Sequence, residues 1–402
     1  MPTFDDPLHD EFGSWNLGFA PYGGGDVGEV ELLATQVTAG DDDSFFEAYF
    51  AFAKALIAEA DEAAGSGHRR TARECYLRAA AYIGIGYHPL YGTPVDPRLV
   101  DAFHLQMDTF AKAMALQDVP GEQLSIPYEG THMPAWFLRN PRRPHDVLPT
   151  IIVGGGWDST MVENHLAMGV AALARDYHVL LHDGPGQGQL LIDEGLPLRH
   201  DWEHVVSRVV DAALAIDGVD GDRLVYQPWS LGGYMAPRVA AFEHRFAAVI
   251  ADPGQLSVGA KLIDGFRMMG LTKDQEAKLP ALDAEFAAGA LEVIQSSRPL
   301  NWSLCKRAFW TNGAPDLPSL VAEMMRWTLT PEILAGVKTP ILVTSAEGDR
   351  ASTDTDQLYA ALPGPKDRIT FTATQGAGMH CEMLNRSLAN RRILDWLDTQ
   401  LA

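Results

Sequence analysis

Between Asp43 and about Leu116, apolar residues recur at helical spacing. In the segment TARECYLRAAAYIG, alanine and bulkier apolar residues return every three or four positions, which is the stripe of an amphipathic helix. Gly65, Gly67 and the proline-rich stretch YHPLYGTPVDP interrupt this pattern and indicate helix ends. The pattern therefore predicts a helical N-terminal unit of about three helices.

After residue 120, the pattern changes to short apolar runs separated by turns. Several of these runs lack any alternation of polar and apolar residues, as strands buried on both faces do. The runs are LSIPYE, MPAWFLR, TIIVGG, HVLLHD, RLVYQP, AAVIAD, PILVTSA and RITFTA. Helical patterns between them predict βαβ units, hence an α/β fold with a mostly parallel sheet covered on both sides. The first two runs, joined by Gly130-Thr131-His132, predict an antiparallel hairpin.

Between about residues 255 and 331, a helical stretch rich in Met and Trp interrupts the series of strands. Such an insertion either covers the carboxyl edge of the sheet, where α/β proteins bind ligands, or packs against the sheet alone. We predict a helical N-terminal domain at 1–120, an α/β core at 121–254 and 332–402, and a helical cap insertion at 255–331. Helical spacing favours core positions for its larger side chains, which are Trp302, Phe309, Trp310, Met324 and Trp327.

Composition and charge exclude several classes of binding partner for the 402-residue chain. A net charge of −22 disfavours nucleic acid and anionic lipid, and no apolar run approaches the length of a membrane helix. The acidic N-terminus MPTFDDPLHDEF resembles no targeting peptide, so we expect a cytoplasmic protein. Its three widely spaced cysteines predict free thiols, and no cluster of ligands suggests a metal. We expect a small-molecule substrate and no cofactor.

Ser230 lies in the stretch YQPWSLGGYMAPR, between a predicted strand and a predicted helix. A nucleophile elbow requires this context, in which the serine adopts a strained backbone conformation and its neighbours must be small. Gly232 and Gly233 meet that requirement. Pro228 occupies the position where the motif normally has glycine, so the surviving half of the motif needs support from other residues.

Asp349 and His380 supply that support. Asp349 follows the strand run PILVTSA, and His380 lies in a glycine-rich loop after the next one, so Ser230, Asp349 and His380 follow the chain order of a Ser-Asp-His triad. A serine hydroxyl becomes a nucleophile when a neutral imidazole accepts its proton, and a carboxylate then balances the imidazolium. Three other carboxyl groups remain alternatives for the acid: Glu347, Asp354 and, farther away, Asp252.

Two glycine-rich segments follow other strands. In TIIVGGGWDS, the glycines allow backbone N–H groups to face a site, and we expect Trp157 and Leu231, with Gly156 beside them, to form an oxyanion hole. The segment HDGPGQGQ has neither a dinucleotide-binding nor a P-loop pattern. It predicts a shaped turn that Asp183 anchors.

Taken in order, these motifs resemble one family. GGGWDST, HDGPGQGQ, DWEHVVSRVVD, SLGGYMAPRVAAFEHR, AEGD and GAGMHCEM are similar to those of α/β-hydrolases with a helical N-terminal domain. That group includes dihydroxypseudooxynicotine hydrolase and fungal polyketide-shortening hydrolases, and the resemblance extends to AGSGHRRTARECYLRAAAYIGIGYHPLY. It implies the α/β-hydrolase fold, with Ser230 as nucleophile, Asp349 as acid and His380 as base. Pro228 departs from the family motif.

The resemblance also implies an activity. We expect a serine hydrolase that cleaves a carbon–carbon bond next to a carbonyl, or an ester, in a small aromatic or polyketide-like molecule. An acyltransferase or cyclase is the alternative among enzymes. A catalytically weakened binding protein is the alternative outside them, because of Pro228. The family further implies a homodimer in some members.

Overall fold

An eight-stranded sheet forms the centre of the molecule. The structure is a computed structural model that describes residues 3–402. The strands lie in the order β1-β2-β4-β3-β5-β6-β7-β8, with β1 and β2 antiparallel to their neighbours and the others parallel. Their bounds are β1 Glu122–Tyr128, β2 Thr131–Leu138, β3 Leu148–Gly154, β4 His178–His182, β5 Val219–Pro228, β6 Phe246–Ala251, β7 Ile341–Ala346 and β8 Lys366–Phe371. The eight predicted runs coincide with these eight strands.

Burial follows the apolar pattern of the strands. Every residue of β3, β4 and β7 is buried, as runs without alternation require when helices cover both faces of a sheet. The predicted hairpin between β1 and β2 is confirmed, but its turn is Glu129-Gly130, earlier than expected. Both residues have positive φ, 40° and 91°, which is the conformation of a two-residue hairpin turn.

Five helices precede the sheet. They are α1 Pro7–Phe19, α2 Val27–Gln36, α3 Asp42–Gly65, α4 Arg69–Tyr87 and α5 Pro97–Ala115. The last three are the predicted ones, whereas α1 and α2 were not predicted. Gly13 and Gly18 weaken the helical signal of α1, yet tight packing requires them. A Cβ at Gly13 would lie 2.1 Å from Phe4, and one at Gly18 would lie 2.0 Å from the Met383 carbonyl oxygen.

Fourteen further helical segments lie among or after the strands. Those of the core are α6 Met161–Asn164, α7 Val170–Leu173, α8 Gly188–Ile192, α9 Glu203–Leu214 and α10 Gly232–Phe242. Between β6 and β7 lie α11 Val258–Met268, α12 Lys273–Glu276, α13 Ala284–Ser296, α14 Arg298–Leu300, α15 Phe309–Thr311, α16 Leu317–Arg326 and α17 Pro331–Leu334. The C-terminal ones are α18 Thr355–Ala361 and α19 Arg386–Gln400. Residues Asn301–Ala308 join α14 to α15 as π-helical turns, which gives one helical segment from 298 to 311. The division into domains stays a prediction.

The segment 298–311 is fastened to the N-terminal helices. Asp42, in the first turn of α3, accepts from Arg298 at 2.8 Å and pairs with Lys306 at 3.3 Å. His9 of α1 lies 3.1 Å from the same carboxylate. On the same segment, Trp302 Nε1 donates to the His88 carbonyl at 2.7 Å. These contacts fix one face of the segment and leave its other face for the sheet edge below.

All three cysteines are free. Of the helices in residues 3–402, none has the length and apolar character needed to cross a membrane.

Candidate active site

Ser230 lies in a sharp turn between the end of β5 and the start of α10. Its φ of 59° is in the left-handed region, which side-chain-bearing residues rarely adopt. Its N–H donates to the Asp252 carbonyl at 2.7 Å, and this bond holds the turn against the end of β6. The turn therefore has the strained geometry that the strand, serine and glycine pattern predicted.

The two glycines after Ser230 allow three segments to meet. A Cβ at Gly233 would lie 1.7 Å from the Pro253 carbonyl oxygen, so a side chain would displace backbone there. A Cβ at Gly232 would lie 2.5 Å from the Cβ of Pro228. Pro228 is the last residue of β5, opposite Gly154 of β3. The proline ring thus occupies space that the missing side chain of Gly232 leaves open.

Ser230, His380 and Asp349 form a hydrogen-bonded chain. Ser230 Oγ lies 2.9 Å from His380 Nε2, and His380 Nδ1 lies 2.9 Å from Asp349 Oδ2. Asp349 Oδ1 accepts the Ala351 N–H at 2.8 Å, which fixes the carboxylate at the end of β7. The histidine side chain is 41% exposed and borders the cavity above Ser230. The structure thus brings together the three residues that the sequence singled out.

The alternative carboxylates are engaged elsewhere. Glu347 accepts the Ala373 N–H at 2.8 Å. Asp354 accepts two backbone N–H groups at the start of the insertion, from Leu256 and Ser257. Asp252 is completely buried and accepts from Thr344 Oγ1 at 2.7 Å. Asp349 is therefore the carboxylate that contacts His380.

The charge environment favours a protonated His380. Removal from water lowers its pKa, but Cys381 and Asp349 outweigh this effect and raise the pKa well above the ordinary 6.5. Burial raises the pKa of Cys381 to about 12, so its thiol is neutral near pH 7 and Asp349 supplies the charge that matters. Burial alone would raise the pKa of Asp349, but His380 lowers it overall.

Arg386 joins the serine turn to the histidine loop. Its guanidinium is completely buried, and Nη1 donates to the Cys381 carbonyl at 2.7 Å and to Asp252 Oδ2 at 3.1 Å. Cys381 and Glu382, directly after His380, both have positive φ, of 51° and 50°. Burial and the charge of Asp252 raise the pKa of Glu382 well above its ordinary value, so Arg386 and Asp252 form the charged pair. This pair holds a strained loop in place.

The glycine-rich loop after β3 lies against Ser230. A Cβ at Gly156 would be 2.7 Å from the Ser230 Cβ, so the loop can approach this closely with glycine at that position. The Gly156 N–H donates to Ser159 Oγ at 3.2 Å and is therefore occupied. Within residues 3–402, the N–H groups of Trp157 and Leu231 have no hydrogen-bond partner. Of the three residues expected at the oxyanion hole, Trp157 and Leu231 thus keep free donors, whereas Gly156 does not.

Gln187, rather than Asp183, anchors the HDGPGQGQ turn. Its Oε1 accepts the Gly184 N–H at 3.0 Å, and its Nε2 donates to the Gly156 carbonyl at 2.6 Å. The Asp183 carboxyl is completely buried and makes no hydrogen bond within the turn. The expectation for Asp183 was wrong because a longer side chain is needed to span the turn and reach the neighbouring loop.

A cavity of about 330 Å³ opens above Ser230 and His380. Most of its wall comes from the insertion, through apolar side chains that include Val258, Phe266, Leu304 and Met324. The expectation of core positions fits Trp302, Trp310 and Trp327, which are buried, but Met324 also lines the cavity. The insertion therefore covers the carboxyl edge of the sheet.

Local sequence pattern did not reveal Arg307 as a residue of the site. Arg307, within the helical run NWSLCKRAFW, borders the cavity and pairs with Asp158. Arg307 belongs to a helical segment whose placement depends on tertiary packing, so spacing along the chain could not reveal it.

Comparisons with known proteins identify hydrolases similar to this chain. The chain is 30% identical to hydrolase LUC6 of Fusarium sp, over 95% of this chain and 94% of that protein. It is 29% identical to 20-hydroxy-prefusarin hydrolase FUS2 of Gibberella moniliformis (96% and 94% covered) and 28% identical to alpha/beta hydrolase psoB of Aspergillus fumigatus (95% and 90%). No protein-family model matches the chain.

Solved structures share the fold. The structure of 2,6-dihydroxy-pseudo-oxynicotine hydrolase matches with a TM-score of 0.70 and 19% identity, covering 95% of both chains. Wild-type AbyA5 matches with a TM-score of 0.60 and 16% identity, covering 93% of this chain and 94% of the other.

Replacing Arg386 with methionine should destabilise the protein strongly. The substitution leaves the buried Asp252 carboxylate without its cation, which typically costs about 3–5 kcal/mol of unfolding free energy. Denaturant unfolding of Arg386→Met measures the loss. Arg391→Met, on the exposed face of the same helix, is the matched control and should change stability by no more than about 0.5 kcal/mol. Equal losses in both variants would contradict the role assigned to the buried pair.

Replacing Pro228 with glycine should leave activity intact or raise it. The proline ends its strand, and its ring lies in space that Gly232 leaves open, so the added freedom of the unfolded chain costs about 0.4–1 kcal/mol of stability at most. Steady-state kcat/KM of Pro228→Gly on any hydrolysed ester, together with the unfolding free energy, tests this. A collapse of activity in a stably folded variant would show that the proline ring itself shapes the serine turn.

Proposed function

The chain is an enzyme of the α/β-hydrolase family, and from that premise we propose that Ser230, His380 and Asp349 form its catalytic triad. The supporting observation is the unbroken hydrogen-bonded chain from Ser230 Oγ through His380 to Asp349, each bond at 2.9 Å. We propose that the enzyme hydrolyses a carbon–carbon bond next to a carbonyl, or an ester, in a small aromatic or polyketide-like molecule.

In the proposed mechanism, His380 takes the proton of Ser230 as the serine oxygen attacks the substrate carbonyl. Asp349 holds the imidazole in its tautomer and balances the imidazolium. The oxyanion that forms accepts hydrogen bonds from the N–H groups of Trp157 and Leu231. Collapse of this intermediate expels the leaving group, which His380 protonates, and water then hydrolyses the acyl-enzyme by the same steps.

Gln187 supports the assignment of the Trp157 N–H. The Gly156 carbonyl and the Trp157 N–H belong to the same peptide unit, and in a trans peptide they point in opposite directions. Because the Gln187 amide holds that carbonyl at 2.6 Å, it also fixes the direction of the N–H. Leu231 supplies the second donor at the start of α10, where the helix dipole favours negative charge.

The cavity supports a small apolar substrate. Its volume of about 330 Å³ lies near the lower end of the range for small-molecule sites, and its wall is mainly aliphatic and aromatic. FUS2 is named for the hydrolysis of 20-hydroxy-prefusarin, and a structural neighbour for that of 2,6-dihydroxy-pseudo-oxynicotine. A comparable substrate class is our proposal for this chain.

Two alternatives predict different outcomes. An acyltransferase or cyclase would use the same acyl-enzyme but transfer the acyl group to a substrate hydroxyl or amine instead of water. A catalytically weakened binding protein would keep the fold without acylation of Ser230. A cytoplasmic location and a homodimer remain predictions.

Replacing Ser230 with alanine should lower kcat by on the order of 10⁵–10⁶-fold, as removal of a triad nucleophile does in other enzymes. A fluorophosphonate probe should label wild-type Ser230, with the site identified by peptide mass spectrometry, and should fail to label Ser230→Ala. Ser296→Ala, at an exposed serine of α13 that does not line the cavity, is the control and should keep both labelling and turnover. Absence of labelling in folded wild-type protein would favour the binding-protein alternative.

The pH profile should report the state of His380. The base must be neutral to act, and its pKa lies above the ordinary 6.5, so activity should be lost as pH falls through that raised pKa. Asp349→Asn removes the charge that raises the pKa of His380. It should therefore move the acidic limb of the pH profile of kcat/KM to lower pH and reduce the maximal kcat/KM. Glu347→Gln changes an exposed carboxylate near Asp349 that does not contact His380. It should leave the acidic limb of the profile at the same pH. Identical profiles for wild type and Asp349→Asn would exclude Asp349 as the acid.

A further inference from the structure

Arg307 gives the cavity above Ser230 one charged wall. It lines the same cavity as Ser230, Trp157 and His380. The side chains that the insertion places around it are largely apolar, namely Val258, Leu262, Phe266, Met269, Leu300 and Leu304. In a largely apolar cavity, the few polar groups recognise matching groups on the ligand. Lys261 and Arg350 also line this cavity, but Arg350 is exposed to solvent.

The guanidinium of Arg307 is held in one orientation. Its central carbon lies 4.6 Å from the ring centroid of Trp157 and 5.0 Å from that of Trp302, so two indoles flank it. Nη1 donates to Asp158 Oδ2 at 3.0 Å, and Nη2 donates to Ser303 Oγ at 2.8 Å. Because the side chain is already ordered, a ligand that binds it does not have to immobilise it.

Arg307 keeps hydrogen-bond donors for a ligand. Each terminal nitrogen carries two N–H groups and, among residues 3–402, makes one hydrogen bond, so each keeps one donor. Lys261 is a second cation on the same wall. Its ammonium group donates to the Ala351 carbonyl at 2.6 Å and to Gln255 Oε1 at 2.9 Å, and it lies 2.8 Å from Asp354 Oδ1, so a carboxylate of the protein already balances its charge.

Arg307 contacts a residue of the proposed oxyanion hole. Its guanidinium stacks on the indole of Trp157, whose backbone N–H is one of the two proposed oxyanion donors. Arg307 and Ser230 line the same cavity of about 330 Å³, so a group bound to Arg307 and the carbonyl that Ser230 attacks lie within the span of one small molecule. In a 1,3-dicarbonyl compound a single carbon separates the two carbonyl carbons, so the second oxygen falls within such a short span.

Building on the proposed function, we propose that Arg307 binds the second carbonyl oxygen of a 1,3-dicarbonyl substrate and stabilises the enolate that carbon–carbon cleavage releases. Ser230 Oγ forms a bond to the first carbonyl carbon, and the bond from that carbon to the central carbon breaks. The electron pair of the broken bond moves to the second oxygen as an enolate, which Arg307 contacts. The proton on His380 then passes to the central carbon, which gives a ketone and the acyl-enzyme.

Two probe substrates distinguish stabilisation of an enolate by Arg307 from a purely structural role of this residue in the site. The first is 1-phenylbutane-1,3-dione, whose cleavage must generate an enolate. The second is 4-nitrophenyl butyrate, whose nitrophenolate leaves without help. Arg307→Gln should lower kcat for the diketone about 100-fold, the loss typical of one oxyanion donor, and should change ester hydrolysis less than about threefold. Arg307→Lys, which keeps the charge but loses the planar fork, should give an intermediate loss on the diketone.

Arg326→Gln, which removes a cation from α16 outside this cavity, is the control and should leave both reactions unchanged. Thermal unfolding verifies that each variant is folded. Equal losses on both probes, no loss on the diketone, or a wild type that hydrolyses the ester through Ser230 but not the diketone would overturn the inference while the proposed function stands. If the wild type hydrolyses neither probe and the fluorophosphonate leaves Ser230 unlabelled, the proposed function fails and the inference fails with it.

Discussion

The buried ion pair between Arg386 and Asp252 is the interaction on which the geometry of the site depends. The Asp252 carbonyl holds the N–H of Ser230, and Arg386 holds the Asp252 carboxylate together with the Cys381 carbonyl. The guanidinium also lies 5.6 Å from the ring centroid of Trp229, the residue before the serine. Two strained turns, which carry the nucleophile and the histidine, are thereby tied to one fixed charge.

A buried ion pair fixes the positions of the groups that it joins, but it costs folding free energy because two charges must leave water. The cost is offset here by the number of hydrogen bonds that Arg386 makes in the interior, to main-chain as well as side-chain acceptors. The positive φ values of Ser230, Cys381 and Glu382 persist because the surrounding contacts leave the chain no relaxed alternative. Strain at the site and the buried charge beneath it are thus parts of one arrangement.

The helical parts of the chain complete the site from above. The segment 298–311 presents Trp302 and Lys306 to the N-terminal helices and Leu300, Leu304 and Arg307 to the cavity. Helix α1 packs against the turn that begins at His380, where Gly18 meets the Met383 carbonyl. The N-terminal helices therefore hold the cavity wall in place, although none of Ser230, His380 and Asp349 lies on them.

Much of the fold and of the site was predictable from local pattern. Uninterrupted apolar runs identified the eight strands, and residues that follow strands in an α/β sheet must gather at its carboxyl edge, so Ser230, Asp349 and His380 could be named together. The helix α1 was missed because its glycines serve packing and weaken the helical signal. Gln187 and Arg307 were missed because their partners, the Gly156 carbonyl and the Trp157 ring, are 31 and 150 positions away in the chain.

The sequence by itself determined which segments become strands and helices and singled out Ser230 and His380, because spacing and side-chain chemistry are local properties. The tertiary structure alone decided that Asp349 rather than Asp252, Glu347 or Asp354 meets the histidine. It also decided that the proline ring of Pro228 fits beside Gly232 and that an arginine from the insertion, Arg307, lines the same cavity as Ser230. Those outcomes depend on distances between segments far apart in the chain, which packing fixes and local pattern does not encode.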